Sequence, residues 1–194
     1  MTDRRPLQSL TYGMYIVGAR EGERMNGQLS NTVFQTTSEP PMLSVCVNHQ
    51  NVTHGMIKRS GRFCVSVLDV TAPFTFISLF GFRHGDKVDK LAGVPHRTSK
   101  AGLPVVTAST NAYLEAVVVG SVEAVTHTVF LGQVTDMEIL GEGVSMTYDY
   151  YRTVLKGLTP RSAPTFAPPV AVRDSAGDAY RVSDPALGTE RTSQ

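Results

Sequence analysis

Residues 113–140 read YLEAVVVGSVEAVTHTVFLGQVTDMEIL, and this stretch decides the fold class. Valine, threonine and aromatic residues dominate it, and these residue types favour extended backbone. We predict three strands here, at 113–119, 122–126 and 128–140, with a turn at Val119-Gly120-Ser121. Short strands this closely spaced favour an antiparallel barrel or sandwich over a doubly wound parallel sheet.

The same pattern extends to both sides of this stretch. It predicts five further strands, at residues 10–17, 32–36, 42–47, 63–68 and 144–148. A helix is predicted to follow Asn51, a good N-cap residue, and to end at Gly61, which suits the left-handed C-terminal position. Two more short helices are predicted, one from about Pro73 through Phe80 and one at 149–156. The expected fold is therefore mostly β and antiparallel, with a few short peripheral helices.

The chain divides into a folded unit and a tail. Its 194 residues are enough for one domain of ordinary size, and we place that domain at residues 1–158. Residues 159–194 are rich in proline and poor in large apolar side chains, so they bury too little surface to offset their ordering entropy. We expect this tail to be flexible or packed on a partner subunit.

Composition excludes several classes of protein. Eighteen basic and seventeen acidic residues leave a net charge of +1, which argues against nucleic acid as the main ligand. No apolar run approaches the roughly 20 residues that a membrane span needs, and the N-terminus lacks a signal-peptide pattern. We therefore expect a cytoplasmic protein with no membrane partner. Cys46 and Cys64 lie in strand-like runs without a C-x-x-C motif, which excludes a zinc ribbon or dithiol centre and makes a disulfide improbable.

The common catalytic motifs are also missing. The chain has no G-x-G-x-x-G after a strand, no phosphate-binding P-loop, no H-E-x-x-H and no G-x-S-x-G. Its five histidines show no metal-ligand spacing, so no metal site is predicted. If the chain is an enzyme, its chemistry comes from a bound organic cofactor.

Four polar patches stand out between the predicted strands. They are residues 25–35 (MNGQLSNTVFQ), 47–54 (VNHQNVTH), 80–90 (FGFRHGDKVDK) and 126–134 (THTVFLGQV). Taken singly, each has an ordinary structural explanation: a hairpin loop, a capped helix start, a surface loop and a strand histidine. The second patch, which opens a helix, also offers free backbone N–H groups to an anion.

Together and in this order, the four patches resemble the flavin reductase-like family, whose fold is the FMN-binding split barrel. The branch that it resembles most is found beside, or fused to, rubredoxins and flavodiiron proteins. The resemblance runs from residues 10–15 to residues 148–152, nearly the whole domain. Residues 127–132 are similar to the family's Gly-Asp-His strand motif, although Val125 and Thr126 stand where the family has Gly and Asp.

The resemblance implies a role for each patch. Residues 26–32 would lie beside the isoalloxazine ring, residues 48–53 would take the ribityl chain and phosphate, and residues 80–84 would cover the flavin or receive the nicotinamide. Arg83 and Lys87 are the candidate cations for the phosphate, and His127 is a possible secondary donor with no essential catalytic role. The implied cofactor-binding residues are Asn26, Gln28, Leu29, Ser30, Asn31, Thr32, Asn48, Asn51, Thr53, His54, Phe82, Arg83 and Lys87.

The resemblance also implies an activity. The protein would take hydride from NADH or NADPH onto bound FMN and pass electrons to rubredoxin, a flavodiiron protein or a similar acceptor, as a homodimer. Because no cysteine follows Cys64, we expect any rubredoxin to be a separate protein. Three alternatives stay open: a reductase that releases reduced flavin to a monooxygenase, a flavin electron carrier without nicotinamide activity, and a split barrel that binds haem or no cofactor.

Overall fold

The computed structural model describes residues 5–166, 170–173 and 179–182. A seven-stranded antiparallel sheet forms its body, in the order β2-β1-β5-β8-β9-β4-β3. These strands are β1 (Tyr15–Glu21), β2 (Arg24–Ser30), β3 (Val33–Ser38), β4 (Pro41–Asn48), β5 (Arg62–Leu68), β8 (Thr110–Ala124) and β9 (His127–Ile139). Two short pairs accompany the sheet, β6 (His96–Thr98) with β7 (Pro104–Val106) and β10 (Val170–Arg173) with β11 (Ala179–Val182). The predicted mostly β, antiparallel fold is confirmed.

The two edges of the sheet meet, which rolls it into a barrel. Strands β2 and β3 lie at opposite ends of the strand order, yet only Asn31 and Thr32 separate them in the chain. The edges must therefore converge at this point. Since β2 and β3 do not pair with each other, the barrel is split along this seam.

The long hairpin of β8 and β9 departs from the predicted strand boundaries. Strand β8 continues for 15 residues to Ala124, so the predicted turn at residues 119–121 is wrong. The register shifts between Val118 and Gly120 instead, because a glycine inside a strand accommodates a bulge without ending the ladder. The turn lies at Val125 and Thr126, between the paired residues Ala124 and His127.

This turn carries a strained residue. Val125 has φ 45° and its side chain is 98% exposed, so nothing packs against it to offset an unfavourable backbone. Hairpin loops of two residues usually have glycine at such a position. We expect Val125→Gly to raise the free energy of unfolding by about 0.5–1 kcal/mol, since relief of strain exceeds the entropy cost of glycine. Denaturant titration measures this change, and a destabilised variant would contradict it.

The polar stretch at 26–31, interpreted from its sequence as a loop, is largely strand. β2 pairs with β1 along its whole length, from Tyr15 opposite Ser30 to Glu21 opposite Arg24. Alternation of the pleat then turns Asn26, Gln28 and Ser30 inward, and all three are buried. Pairing with an apolar neighbour strand overrides the low strand propensity of these residues.

Two other predicted strands are absent or displaced. The first strand starts at Tyr15, whereas residues 10–14 precede it without strand structure apart from a single bridge at Gly13. Residues 144–148 form only isolated bridges, Gly13 with Thr147 and Asp69 with Ser145. A single bridge to each of two neighbouring segments is too little pairing to form a strand, although the residue types of this segment favour extended backbone.

In the part of the chain that the structure describes, three α-helices pack against the sheet. Helix α1 (Val52–Ser60) begins after Asn51 and ends at Gly61 with φ 66°, as predicted, although the Asn51 side chain makes no capping bond. Helix α2 (Phe74–Phe82) also confirms its prediction. Helix α3 (Tyr148–Thr153) is shorter than the predicted 149–156, because Lys156 has φ 53° and cannot continue a helix.

The core has two parts. Inside the barrel, α1 contributes Met56 and Ile57 to a cluster with Phe63 and other strand residues. On the other face, α2 packs against β2, and Phe80 and Tyr151 belong to a second cluster with Ile16 of β1. Cys46 and Cys64 are both free thiols, as expected. Within the described residues, no helix is long and apolar enough to cross a membrane.

The segment after α3 folds back onto the same chain. Residues 158–166, which we call the strap, make hydrogen bonds with Asn31, Asn48, His127, Tyr148 and Tyr151. The strap begins at the predicted end of the domain, residue 158, and much of the predicted tail beyond it lies outside the described residues. The strands β10 and β11 were not predicted.

Candidate functional site

A cleft opens at the seam of the barrel, where the end of β2 approaches the end of β4. It is bounded by α2, by the loop that follows α2, by α3 and by the strap. The lining residues are Met14, Gln28, Leu29, Ser30, Asn31, Cys46, Asn48, Asn51, Phe80, Gly81, Arg83, Lys90, His127, Tyr148, Tyr151, Leu158, Thr159, Pro160, Ser162, Ala163 and Pro164.

One polar atom in this cleft has no partner. The Oε1 atom of Gln28 is buried and accepts no hydrogen bond from any described residue. Buried acceptors are nearly always satisfied, because leaving one unpaired costs roughly 1–3 kcal/mol. A donor group from a ligand in the cleft would remove this cost.

The cleft is also cationic. Arg83 and Lys90 both line it, and the described lining residues include no Asp or Glu. Lys90 is only 5% exposed, and its ammonium donates to the Phe80 carbonyl at 3.1 Å, in the last turn of α2. Burial lowers the pKa of Lys90 to about 8. A buried ammonium without a carboxylate partner favours an anionic ligand.

His127 and Asn48 converge on the strap. The Asn48 Nδ2 atom donates to the Ser162 carbonyl at 3.0 Å, and the His127 Nε2 atom lies 3.2 Å from the same oxygen. A carbonyl can only accept, so His127 donates through Nε2, and its Nδ1 faces the Thr126 hydroxyl at 2.8 Å. Burial lowers the pKa of His127, which favours the neutral ring at pH 7.

The cleft brings together part of the predicted site. Eight of the residues singled out from sequence line it: Gln28, Leu29, Ser30, Asn31, Asn48, Asn51, Arg83 and His127. They come from all four polar patches, which are separated in the chain.

The other predicted residues lie outside the cleft lining. Asn26 donates to the Thr53 hydroxyl at 2.8 Å in the buried interior, and His54 pairs with the Thr128 hydroxyl at 2.7 Å. Both hydrogen bonds join α1 to strands of the sheet, so these side chains fix the position of α1. The remaining three are Thr32, whose hydroxyl donates to Asn31, Phe82, which is largely exposed, and Lys87, which lines a separate surface depression.

Sequence reasoning missed several lining residues. Lys90 lies within the third polar patch and Cys46 within a predicted strand, but nothing in the sequence says that their side chains line a cleft at the seam. Tyr148 and Tyr151 enter because α3 packs beside the cleft. The strap was missed because its contacts are long-range: Asn31 and Thr165 are 134 positions apart.

A split antiparallel barrel with a cationic cleft at its seam belongs to the class of proteins that can hold an anionic organic cofactor. Comparison with known proteins agrees. The model of the flavin reductase like domain matches residues 7–159. The chain therefore belongs to the flavin reductase-like domain family, which confirms the predicted fold and activity class.

Individual relatives are consistent with this assignment. The chain is 48% identical to the high molecular weight rubredoxin of Moorella thermoacetica over 164 residues, 84% of this chain and 72% of that protein. It is 42% identical over 164 residues to the NAD(P)H ferric-chelate reductase of Archaeoglobus fulgidus, 84% of this chain and 97% of that protein. The solved NADH:FAD oxidoreductase of Streptomyces globisporus superposes with a TM-score of 0.67 at 25% identity, over 74% of this chain and 85% of that one.

Proposed function

We propose that the cleft holds FMN, that NADH or NADPH reduces it, and that electrons leave to an acceptor such as rubredoxin or a flavodiiron protein. The observation that carries this proposal is Lys90, a buried ammonium that lines the cleft without a carboxylate partner. The relatives named for rubredoxin and for NAD(P)H ferric-chelate reduction support a nicotinamide donor and an acceptor beyond the flavin.

The residues present fit this cofactor. FMN offers an imide N–H donor, carbonyl acceptors and a phosphate. The unpaired Gln28 Oε1 atom is an acceptor for such an N–H, and Arg83 and Lys90 supply positive charge for the anionic part. No hydrogen bond or ion pair engages the Arg83 guanidinium within the described residues, so it is available for this role.

The chain contributes binding, orientation and exclusion of water. Bound flavin supplies the hydride-accepting and electron-carrying chemistry, so no protein nucleophile is needed. Phe80, Tyr148 and Tyr151 form the apolar wall of the cleft, which keeps water away from the reacting ring. The ammonium of Lys90 stabilises negative charge in this low-dielectric site more than it would in water.

We further propose that the protein is a cytoplasmic homodimer. Val122 and Ile139, on β8 and β9, are 67% and 74% exposed, and such apolar side chains on a sheet favour contact with a second copy. Light scattering during gel filtration measures the mass directly, and a monomer at full FMN occupancy would contradict the dimer.

The visible spectrum tests the function. We expect the purified protein to take up FMN and to show the oxidised flavin band. Anaerobic NADH or NADPH should bleach this band, and oxidised rubredoxin should restore it while the flavin stays bound. Flavin in the ultrafiltrate after reduction would favour the reductase that releases it, and a band that neither nicotinamide bleaches would favour a pure electron carrier. A protein that does not bind FMN contradicts the proposal.

His127 provides a prediction about the chemistry. Its neutral ring donates one hydrogen bond and needs no change of protonation, so we expect His127→Ala to leave the rate of flavin reduction within about threefold of wild type. Stopped-flow mixing with NADH measures this rate. A loss of a hundredfold or more, the scale of general acid–base catalysis, would assign His127 an essential role.

A further inference from the structure

The strap is held at its start by tight packing around α3. After Lys156, with φ 53°, the chain passes so close to the Tyr151 ring that a Cβ atom on Gly157 would lie 2.1 Å from it. The Tyr151 hydroxyl donates to the Leu158 carbonyl at 2.8 Å. This turn directs the following residues across the mouth of the cleft.

Four polar side chains of the site then bind the strap. The Asn31 Nδ2 atom donates to the Thr165 hydroxyl at 2.7 Å, and Tyr148 pairs with the Thr159 hydroxyl. The Ser162 carbonyl accepts from Asn48 and His127, at 3.0 and 3.2 Å. Three of these four side chains were singled out from the sequence as site residues. The hydrogen-bonding groups of these four side chains are therefore paired with the strap and not available to a ligand.

The closed strap leaves little room. With it in place, the cleft holds a cavity of about 90 Å³. Ligand and cofactor pockets usually measure about 300–1,000 Å³. A three-ring cofactor therefore needs the space that the strap takes, as well as the donors that it uses.

We propose that the strap is an internal ligand that competes with the flavin, so that FMN binds only after residues 158–166 lift from the cleft. This inference rests on the proposed function and adds a regulation of the same site. Five side-chain hydrogen bonds hold the strap, and ligand contacts with Asn31, Asn48 and the cations would offset their loss. The apparent dissociation constant for FMN is then the intrinsic constant divided by the open fraction.

Two conservative substitutions loosen the strap and leave the cleft residues of the sheet and of α3 unchanged. Thr159→Val with Thr165→Val removes two hydroxyl contacts and keeps Asn31, Asn48, His127 and Tyr148. The matched control is Ser162→Ala, because the described contacts of Ser162 use its carbonyl and give its hydroxyl no hydrogen bond. We expect the double variant to bind FMN roughly tenfold more tightly than wild type, and the control to stay within about twofold.

Hydrogen exchange provides a readout that does not depend on activity. Addition of FMN to the wild-type protein should speed exchange of the backbone amides at residues 158–166. Weaker FMN binding by the double variant, or slower exchange in the strap with FMN, would show that the strap covers bound flavin and would overturn the proposal. Equal affinities would overturn it while leaving flavin binding intact, whereas no FMN binding by any variant would overturn the proposed function as well.

Discussion

Lys90→Met is expected to weaken FMN binding roughly 10- to 100-fold while making the unliganded protein more stable by about 1–3 kcal/mol. The two effects have opposite signs because burial of the ammonium carries a cost that its hydrogen bond to the Phe80 carbonyl offsets only in part, whereas an anionic ligand would offset the rest. A charged hydrogen bond contributes about 1.5–3 kcal/mol to binding, which sets the loss of affinity. Titration of FMN fluorescence and denaturant unfolding of the flavin-free protein measure the two quantities separately.

The pH dependence gives a second signature of Lys90. Its pKa is lowered from 10.5 to about 8, so between these values the unfolded chain binds more protons than the folded one. The contribution of Lys90 to stability therefore rises with pH across this window, and its full penalty is present below pH 8. Burial raises the pKa of Cys64 to about 12, which lowers stability above pH 9 in wild type and variant alike, so the Lys90 contribution is read from the difference between the two proteins. FMN affinity should fall as pH rises above about 8, where the unliganded protein loses the ammonium proton. The Lys90 contribution to both dependences should disappear in Lys90→Met.

Lys87→Met is the matched control for this prediction. Lys87 belongs to the same loop but is exposed and lies outside the cleft lining. We expect its removal to change stability by less than about 0.5 kcal/mol and FMN affinity only a few-fold. A larger loss of affinity in Lys87→Met than in Lys90→Met would show that the sequence-predicted cation holds the phosphate and would contradict the role of Lys90.

Phe80→Ala is expected to lower the free energy of unfolding by about 3–5 kcal/mol. Phe80 is 1% exposed and lies between Phe76, whose ring centroid is 5.1 Å away, and β2. Gly27 provides the space, since a Cβ there would lie 3.0 Å from the Phe80 ring. The loss is a large fraction of the 5–15 kcal/mol typical of whole domains. Thermal and denaturant unfolding of the flavin-free protein measure it.

Phe82→Ala tests whether a second aromatic residue of α2 contributes to flavin binding without contributing to the packing of the core. The Phe82 side chain is 42% exposed, so its removal should cost less than about 1 kcal/mol of stability. If Phe82 contacts the flavin, as the sequence predicts, this variant weakens FMN binding at nearly unchanged stability. Equal destabilisation by the two substitutions would contradict the placement of Phe80 in the core.

Local chemistry predicted much of the architecture. Runs of β-branched and aromatic residues predicted the ends of β4, β5 and β9 to within one or two residues. The preference for extended backbone depends on residue types that are close together in the sequence. Asn51 and Gly61 bounded α1 because caps act through adjacent backbone groups. The four polar patches, in their order along the chain, were sufficient to indicate the family.

Long-range pairing decided the rest. Asn26, Gln28 and Ser30 became buried strand residues only because β1 supplied their backbone partners. The burial of Lys90 and its lowered pKa depend on how the loop after α2 meets the seam. The strap joins residues more than a hundred positions apart, such as Asn31 and Thr165. Residue type and spacing determine which segments extend or coil, whereas solvent exclusion and contact between distant segments exist only once the chain has folded.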